Sequence, residues 1–230
     1  MQNLNHYCLL AELFQYPAAE YPQEVKEVKQ LLDQRYPEAA AELDQFLELL
    51  PADDLLTMQE LFTRSFDVQA VTTLDLGYVL FGDDYKRGEM LANLNREHSE
   101  AQIDCGTELA DHLPNVLRLL PELRDEELVE DLAYAILAPA LSEMIREFSS
   151  DRIQKKNESY QKHYKTLIET PAVAEADAVT LYQYTLKSLY SVLKQDFSRI
   201  QTTPLKRFSS NFLGSIKVEN EIEEKAEASN

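Results

Sequence analysis

The sequence predicts an all-α fold, a single-domain helical bundle of roughly eight to ten helices, from three observations. Leucine and alanine number 35 and 21, against 11 valines and 8 isoleucines, and this balance favours helix over sheet. Only 5 glycines and 9 prolines occur in 230 residues, so long elements with few connections are expected. Apolar residues recur with a helical period between most prolines, and no alternating run is long enough for a confident strand.

The first third of the chain contains four apolar stripes with helical spacing. They predict helices before Pro17, between Pro22 and Pro37, between Pro37 and Pro51, and from residue 55 to residue 66. The Asp53-Asp54 pair precedes the fourth stripe and is suited to cap its first turn.

The clearest helix is predicted from Asp125 to Ser150, with a wide apolar stripe and an acidic first turn. Pro139 should kink it, because proline removes a backbone donor and crowds the preceding turn. Two further helical patterns cover residues 153–168 and 182–197. The domain is expected to span residues 1–200, followed by a mostly disordered, acidic tail over 201–230.

The formal net charge is −19, which disfavours nucleic acid. It either favours basic partners or serves solubility alone. The N-terminus lacks a basic region followed by an apolar run, and no apolar run is long enough to span a membrane. Cys8 and Cys105 are far apart and form no CxxC pair, which suits a reducing compartment. The expected location is therefore the cytoplasm, without a membrane span.

Known catalytic and metal-binding motifs are not found in the sequence. It has no HExxH, no GxSxG and no phosphate-binding glycine loop. Glu108, Asp111 and His112 could bind a metal if another ligand such as His98 met them in space. A capping and turn cluster is the simpler interpretation, and a small all-α metal-dependent enzyme remains an alternative.

Residues 61–120 combine aromatic, acidic and glycine residues. Gly82 is well placed to end one helix, and Asp83 or Asp84 to cap the next helix, which begins near Tyr85. The stretches 61–67, 76–83 and 87–88, followed by 108–114, resemble the NarJ branch of the NarJ/TorD family of redox-enzyme maturation chaperones. Phe62, Val79 and Ala110 depart from the residues usual in that branch.

The resemblance implies a non-catalytic, cytoplasmic chaperone that binds the apo catalytic subunit of a molybdenum oxidoreductase, such as a nitrate-reductase-like enzyme. It would bind a basic N-terminal leader peptide and assist cofactor insertion and complex assembly before export or membrane docking. The client would use molybdopterin guanine dinucleotide, and the chaperone itself would hold no permanent cofactor or metal. The chain is expected to be a monomer or a homodimer. A general helical adaptor is a further alternative.

The predicted partner-binding residues lie in the motifs that carry the resemblance. The apolar candidates, for a groove or for corner packing, are Phe66, Tyr78 and Phe81. The acidic rim is predicted to comprise Asp67, Asp83, Glu108 and Asp111. Gly82 and Gly88 shape the corner, Arg87 is expected to pair with one of the carboxylates, and His112 to hydrogen-bond within the same cluster.

Overall fold

The computed structural model describes residues 3–163 and 180–202, and every regular element in these ranges is helical. The all-α prediction is therefore confirmed. The predicted tail over 201–230 lies almost entirely outside the described residues.

The helices follow the apolar stripes of the sequence. The first half of the chain forms α1 (His6–Leu10), a 3-10 turn (Ala11–Phe14), α2 (Tyr21–Arg35), α3 (Pro37–Leu49), α4 (Leu55–Phe66), α5 (Leu76–Phe81) and α6 (Tyr85–Ala101). The second half forms α7 (Leu113–Leu119), a 3-10 turn (Leu120–Glu122), α8 (Glu126–Asp131), a π-helical segment (Leu132–Leu137), α9 (Ala138–Glu147), α10 (Ser150–His163), α11 (Tyr182–Asp196) and α12 (Ser198–Thr202).

Several helix starts were predicted correctly from single residues. Pro37 ends α2 and begins α3, since its fixed φ suits a first helical turn. The side chain of Asp54 accepts a hydrogen bond from the Thr57 amide and caps α4. Asp125 does the same for α8, where its carboxylate accepts from the amides of Glu127 and Leu128.

The helix predicted from Asp125 to Ser150 consists of α8, the π-helical segment and α9. The irregularity lies just before Pro139, where the chain follows a π-helix from Leu132 to Leu137. A proline ring clashes with the carbonyl four residues earlier in a regular α-helix, and one wider turn relieves that clash. The sequence predicts a kink at Pro139; the structure has a π-helical segment directly before this residue, and the kink itself stays a prediction.

The chain forms two compact units. The first unit comprises Met1–Phe14, Asp75–Ala140 and Leu193–Asn230; the second comprises Gln15–Leu74 and Leu141–Val192. In the first unit, α7 packs on α1 and α6, and α5 packs on α6 and the π-helical segment. In the second unit, α2 packs on α3, and the Ser188 hydroxyl of α11 donates to the carbonyl of Ala39 in α3.

The core of the second unit contains a cluster of aromatic rings. Tyr182 of α11 lies 5.3 Å from Phe46, 5.5 Å from Phe62 and 5.1 Å from Phe66, measured between ring centroids. Their tilted and edge-to-face arrangements are the favourable ones for aromatic pairs. Burial in this cluster raises the pKa of the Tyr182 hydroxyl above its usual range. The core of the second unit is therefore formed by α11 together with α3 and α4.

Candidate functional site

Nine of the eleven predicted partner-binding residues lie in the first unit, at the junction of α5, α6 and the start of α7. Phe66 and Asp67 lie in the second unit, at the C-terminal end of α4. The first-unit residues are Tyr78, Phe81, Gly82, Asp83, Arg87, Gly88, Glu108, Asp111 and His112.

The two helices of this junction meet as the sequence predicts. Gly82 follows α5 with a φ of +60°, a conformation that glycine adopts without a steric penalty. Asp84 then caps α6, because its carboxylate accepts a hydrogen bond from the Lys86 amide at 3.0 Å. Asp83 is exposed.

A buried carboxylate joins the start of α5 to the start of α7. The backbone amide of Leu76 donates to the Asp111 carbonyl at 3.0 Å, and the Gly77 amide donates to Asp111 Oδ2 at 3.1 Å. Asp75 and His112 form an antiparallel bridge beside these bonds. The side chain of Asp111 is fully buried, so its hydrogen bonds are formed away from solvent.

Arg87 completes this network, which we call the corner network (Asp75, Gly77, Arg87 and Asp111). Its Nε donates to Asp111 Oδ2 at 3.2 Å and its terminal nitrogen donates to Asp75 Oδ2 at 3.0 Å. The predicted pairing of Arg87 with a carboxylate is therefore present, with Asp111 as one partner. Since two carboxylates face one guanidinium, the network carries no excess positive charge.

The environment of Asp111 shifts its protonation. Burial and the neighbouring Asp75 carboxylate raise the pKa of Asp111, and Arg87 and the Gly77 amide oppose that shift in part. Asp111 Oδ1 is buried, and no hydrogen-bond partner for it is found among the described residues. Asp111 is thus an interior structural carboxylate of the corner, in contrast to the exposed Asp83 and Glu108.

Gly77 permits this close approach. A Cβ at this position would lie 2.6 Å from Asp111 Oδ2 and 3.0 Å from Arg87 Cγ, so any side chain would displace the network. Gly88, in contrast, has nothing within 4 Å of such a Cβ.

The apolar side chains of α5 that follow the buried Leu76 and Gly77 are partly open to solvent. Tyr78 is 46% exposed, while Val79, Leu80 and Phe81 are half-buried. The Arg87 guanidinium lies over the Tyr78 ring, 5.4 Å from its centroid, and holds the ring at the surface. We call Tyr78, Val79, Leu80, Phe81 and the exposed Asp83 the α5 surface.

Phe66 has a different environment from that of the α5 surface. It is only 7% exposed and contacts Phe62, Phe148 and Tyr182 at centroid distances of 5.2, 6.4 and 5.1 Å. These contacts place Phe66 in the aromatic core of the second unit and not at the junction of α5 and α6. Asp67 is exposed beside it.

His112 and His98 both lie near the start of α7. His112 is half-buried at the N-terminal end of α7, and burial lowers its pKa although Glu108, Asp75 and Asp111 act in the opposite direction. The ring nitrogens of buried His98 face the carbonyls of Leu94 and Asn115, at 2.7 and 3.3 Å. Among residues 3–163 and 180–202, no three His, Cys, Asp or Glu side chains are placed to hold a metal ion.

Sequence reasoning missed four residues of this region. Asp75 is the second partner of Arg87, and its position directly before α5 was the signal for a structural role. Gly77 was not singled out, although a glycine inside an apolar helical stripe often marks a close approach. Tyr85 and Leu109 are exposed apolar side chains at 68% and 49% and add to the apolar surface of the first unit.

Comparison with curated proteins finds similarity to molybdenum cofactor assembly chaperones. The chain is 28% identical over 199 residues to the nitrate reductase molybdenum cofactor assembly chaperone NarJ of Escherichia coli K12, covering 82% of this chain and 81% of that protein. The protein of the same name from Escherichia coli O157:H7 gives the same values.

The resemblance to the NarJ branch of the NarJ/TorD family is thereby confirmed. The related protein is an assembly chaperone, as the resemblance implied for this chain, and not an enzyme. No family model and no solved structure matches the chain. Within the described ranges, no helix has the length and apolar character that a membrane span requires.

Proposed function

We propose that this chain is an assembly chaperone for a molybdenum-dependent, nitrate-reductase-like enzyme. It binds the apo catalytic subunit through a basic N-terminal leader in the cytoplasm and keeps that subunit open until molybdopterin guanine dinucleotide has been inserted. Export or membrane docking follows release. The observation that carries the proposal is the similarity to NarJ over 82% of the chain.

The α5 surface has the chemistry that a basic amphipathic leader requires. Its apolar residues offer contacts for the apolar face of the leader, and Tyr78 is the most exposed of them. Asp83 and Glu108 offer exposed carboxylates that match basic side chains of the leader. Glu108 belongs to the segment that pairs with the start of α5. Arg87 does not oppose this match, because Asp75 and Asp111 already neutralise it.

The proposal assigns different tasks to the predicted residues of the first unit. Tyr78, Phe81, Asp83 and Glu108 contact the leader. Asp111, Arg87 and Gly82 hold α5 in the position that presents this surface.

A matched pair of double variants tests the location of the site. Asp83→Asn with Glu108→Gln removes two charges near α5. Glu48→Gln with Asp53→Asn removes two exposed charges at the α3–α4 turn of the second unit, beside the exposed Leu49, Leu55 and Leu56. Both variants have the same net charge, so long-range attraction changes equally in the two.

The measurement is calorimetric titration of each full-length variant with a synthetic peptide of the N-terminal leader of the nitrate reductase catalytic subunit from the same cell. A charged hydrogen bond contributes about 1.5–3 kcal/mol, so the first variant should lose at least tenfold in affinity, about 1.4 kcal/mol. The second variant should lose less than threefold. A larger loss of leader affinity in the second variant would place the site at the α3–α4 turn. Unchanged affinity in both variants would show that these carboxylates do not contact the leader.

A further inference from the structure

The Tyr78 ring, the most exposed apolar side chain of the α5 surface, is held by a contact from outside α5. The Arg87 guanidinium of α6 lies 5.4 Å from the ring centroid, a distance at which a cation is attracted to the face of an aromatic ring. A side chain that is 46% exposed samples several rotamers unless a neighbour restricts it. Ordering such a side chain on binding costs free energy. The contact with Arg87 therefore affects how tightly the ring can bind a partner.

Arg87 is itself fixed from the interior of the first unit. Its Nε donates to Asp111 Oδ2 at 3.2 Å, and its terminal nitrogen donates to Asp75 Oδ2 at 3.0 Å. Its side chain is only 19% exposed, and its Cγ lies 3.0 Å from the point where a Cβ of Gly77 would be. Since Asp111 is fully buried, the guanidinium that covers the Tyr78 ring is anchored to an interior group.

The chemistry of arginine suits this arrangement. A planar guanidinium donates to carboxylates in its own plane while its face covers an aromatic ring, whereas a lysine ammonium is a compact point charge. Arg96, also in α6, offers a contrast, because its side chain is 46% exposed and pairs with the adjacent residue, Glu97, at 3.2 Å. One helix thus carries one arginine that belongs to the corner network and one that lies at the surface.

We infer that Arg87 is a positioning residue of the leader site, which holds the Tyr78 ring in the orientation that the client leader contacts. The inference rests on the proposed function, because that function places the leader on the α5 surface. Beyond its support of α5, Arg87 then acts on one side chain and raises leader affinity without touching the leader. A ring that is ordered before binding loses less conformational freedom when the leader arrives, so the complex is more stable.

A double-mutant cycle on leader affinity separates the two tasks of Arg87. Arg87→Lys keeps the net charge and a cation between the two carboxylates, which supports α5, but it lacks the planar group that covers the ring. Each full-length variant is titrated with a synthetic peptide of the N-terminal leader of the nitrate reductase catalytic subunit from the same cell. Arg87→Lys should weaken peptide binding about fivefold. Tyr78→Ala should weaken it about tenfold, and adding Arg87→Lys to Tyr78→Ala should cost less than about twofold more.

Arg96→Lys is the matched control, because it makes the same change in the same helix away from the corner network. It should leave leader affinity within about twofold. An equal loss from Arg87→Lys with and without the Tyr78 ring would overturn the inference, since Arg87 would then act through α5 alone. So would unchanged affinity in Arg87→Lys when Tyr78→Ala weakens binding. Unchanged affinity in Tyr78→Ala would instead remove the leader from this surface, and the leader site of the proposed function would fail as well.

A measurement without the leader tests the positioning of the ring directly. The chain contains no tryptophan, so Tyr78→Trp places a single tryptophan at the ring position. Time-resolved fluorescence anisotropy then reports the nanosecond motion of that side chain. Arg87→Lys should increase the amplitude of this motion, and Arg96→Lys should not. Asp75→Asn, which weakens one anchor of Arg87, should act in the same direction and serves as the second variant if Arg87→Lys loses helix content. Unchanged motion in the folded variants would overturn the inference.

Discussion

At the residue scale, the corner network depends on the missing side chain of Gly77. The hydrogen bond from its amide to Asp111 requires that the α5 backbone approach the carboxylate more closely than a Cβ allows. Arg87 packs against the same point with its aliphatic carbons. Any residue larger than glycine must push one of these groups away.

Gly77→Ala should therefore lower the free energy of unfolding by about 1–3 kcal/mol, the usual cost of overpacking. Gly88→Ala is the matched control, because it lies in α6 with open space around its Cβ position and should stabilise by about 0.5–1 kcal/mol. Urea unfolding of both variants provides the comparison. Equal stabilisation by the two alanines would show that the Asp111 contact does not constrain α5.

The lowered pKa of His112 makes stability depend on pH. Above about pH 6.5, the ordinary histidine value, the ring is neutral in both the folded and the unfolded state. Below this pH, His112 binds a proton more readily in the unfolded chain than in the folded chain. The free energy of unfolding therefore falls as pH falls. His112→Gln should reduce the stability lost between pH 7.5 and 5.5, as measured by urea unfolding at both pH values. An identical loss in the variant would mean that other groups carry the dependence.

At the scale of elements, the aromatic cluster joins α3, α4 and α11 with Phe148, the residue directly after α9, within the second unit. Phe66→Ala removes a ring that contacts three others and should cost about 3–5 kcal/mol of stability. Val68→Ala, two residues away and 59% exposed, should change stability by less than about 0.5 kcal/mol. Thermal or urea unfolding distinguishes the two variants. If Phe66→Ala lowered stability as little as Val68→Ala, Phe66 would not contribute to the core.

The helices were predictable because their signals are local. Asp54, Asp125 and Gly82 act on the adjacent turn, and their roles follow from residue type and position. The π-helical segment was predictable only as an irregularity near Pro139, since the sequence does not say which kind of turn relieves the clash.

The site was predictable only in part, because residue type and position reveal local contacts but not contacts between distant segments. The motifs identified Arg87 and Asp111, but not that Asp111 is buried with Gly77 against it. Asp75 was missed as the second partner of Arg87, because its position depends on how the chain turns into α5. Phe66 and Tyr78 look alike as aromatic residues in neighbouring motifs, yet one is in a core and the other at the surface. Such differences depend on packing between distant segments.

At the scale of the whole molecule, the charge of −19 should affect the rate and salt dependence of partner binding. Attraction between this chain and a basic leader is screened over about 10 Å at 0.1 M salt, so leader affinity should fall as salt rises.

The central claim is that this chain binds a molybdoenzyme catalytic subunit before the cofactor is in place. Its most direct test is capture of the full-length chain from its native cell, grown with and without molybdate, followed by identification of bound proteins and measurement of their molybdenum content. The account predicts the catalytic subunit of a nitrate-reductase-like enzyme, free of molybdenum and enriched when molybdate is withheld. Capture of that subunit with its molybdenum already bound, or of no molybdoenzyme subunit under either condition, would contradict it.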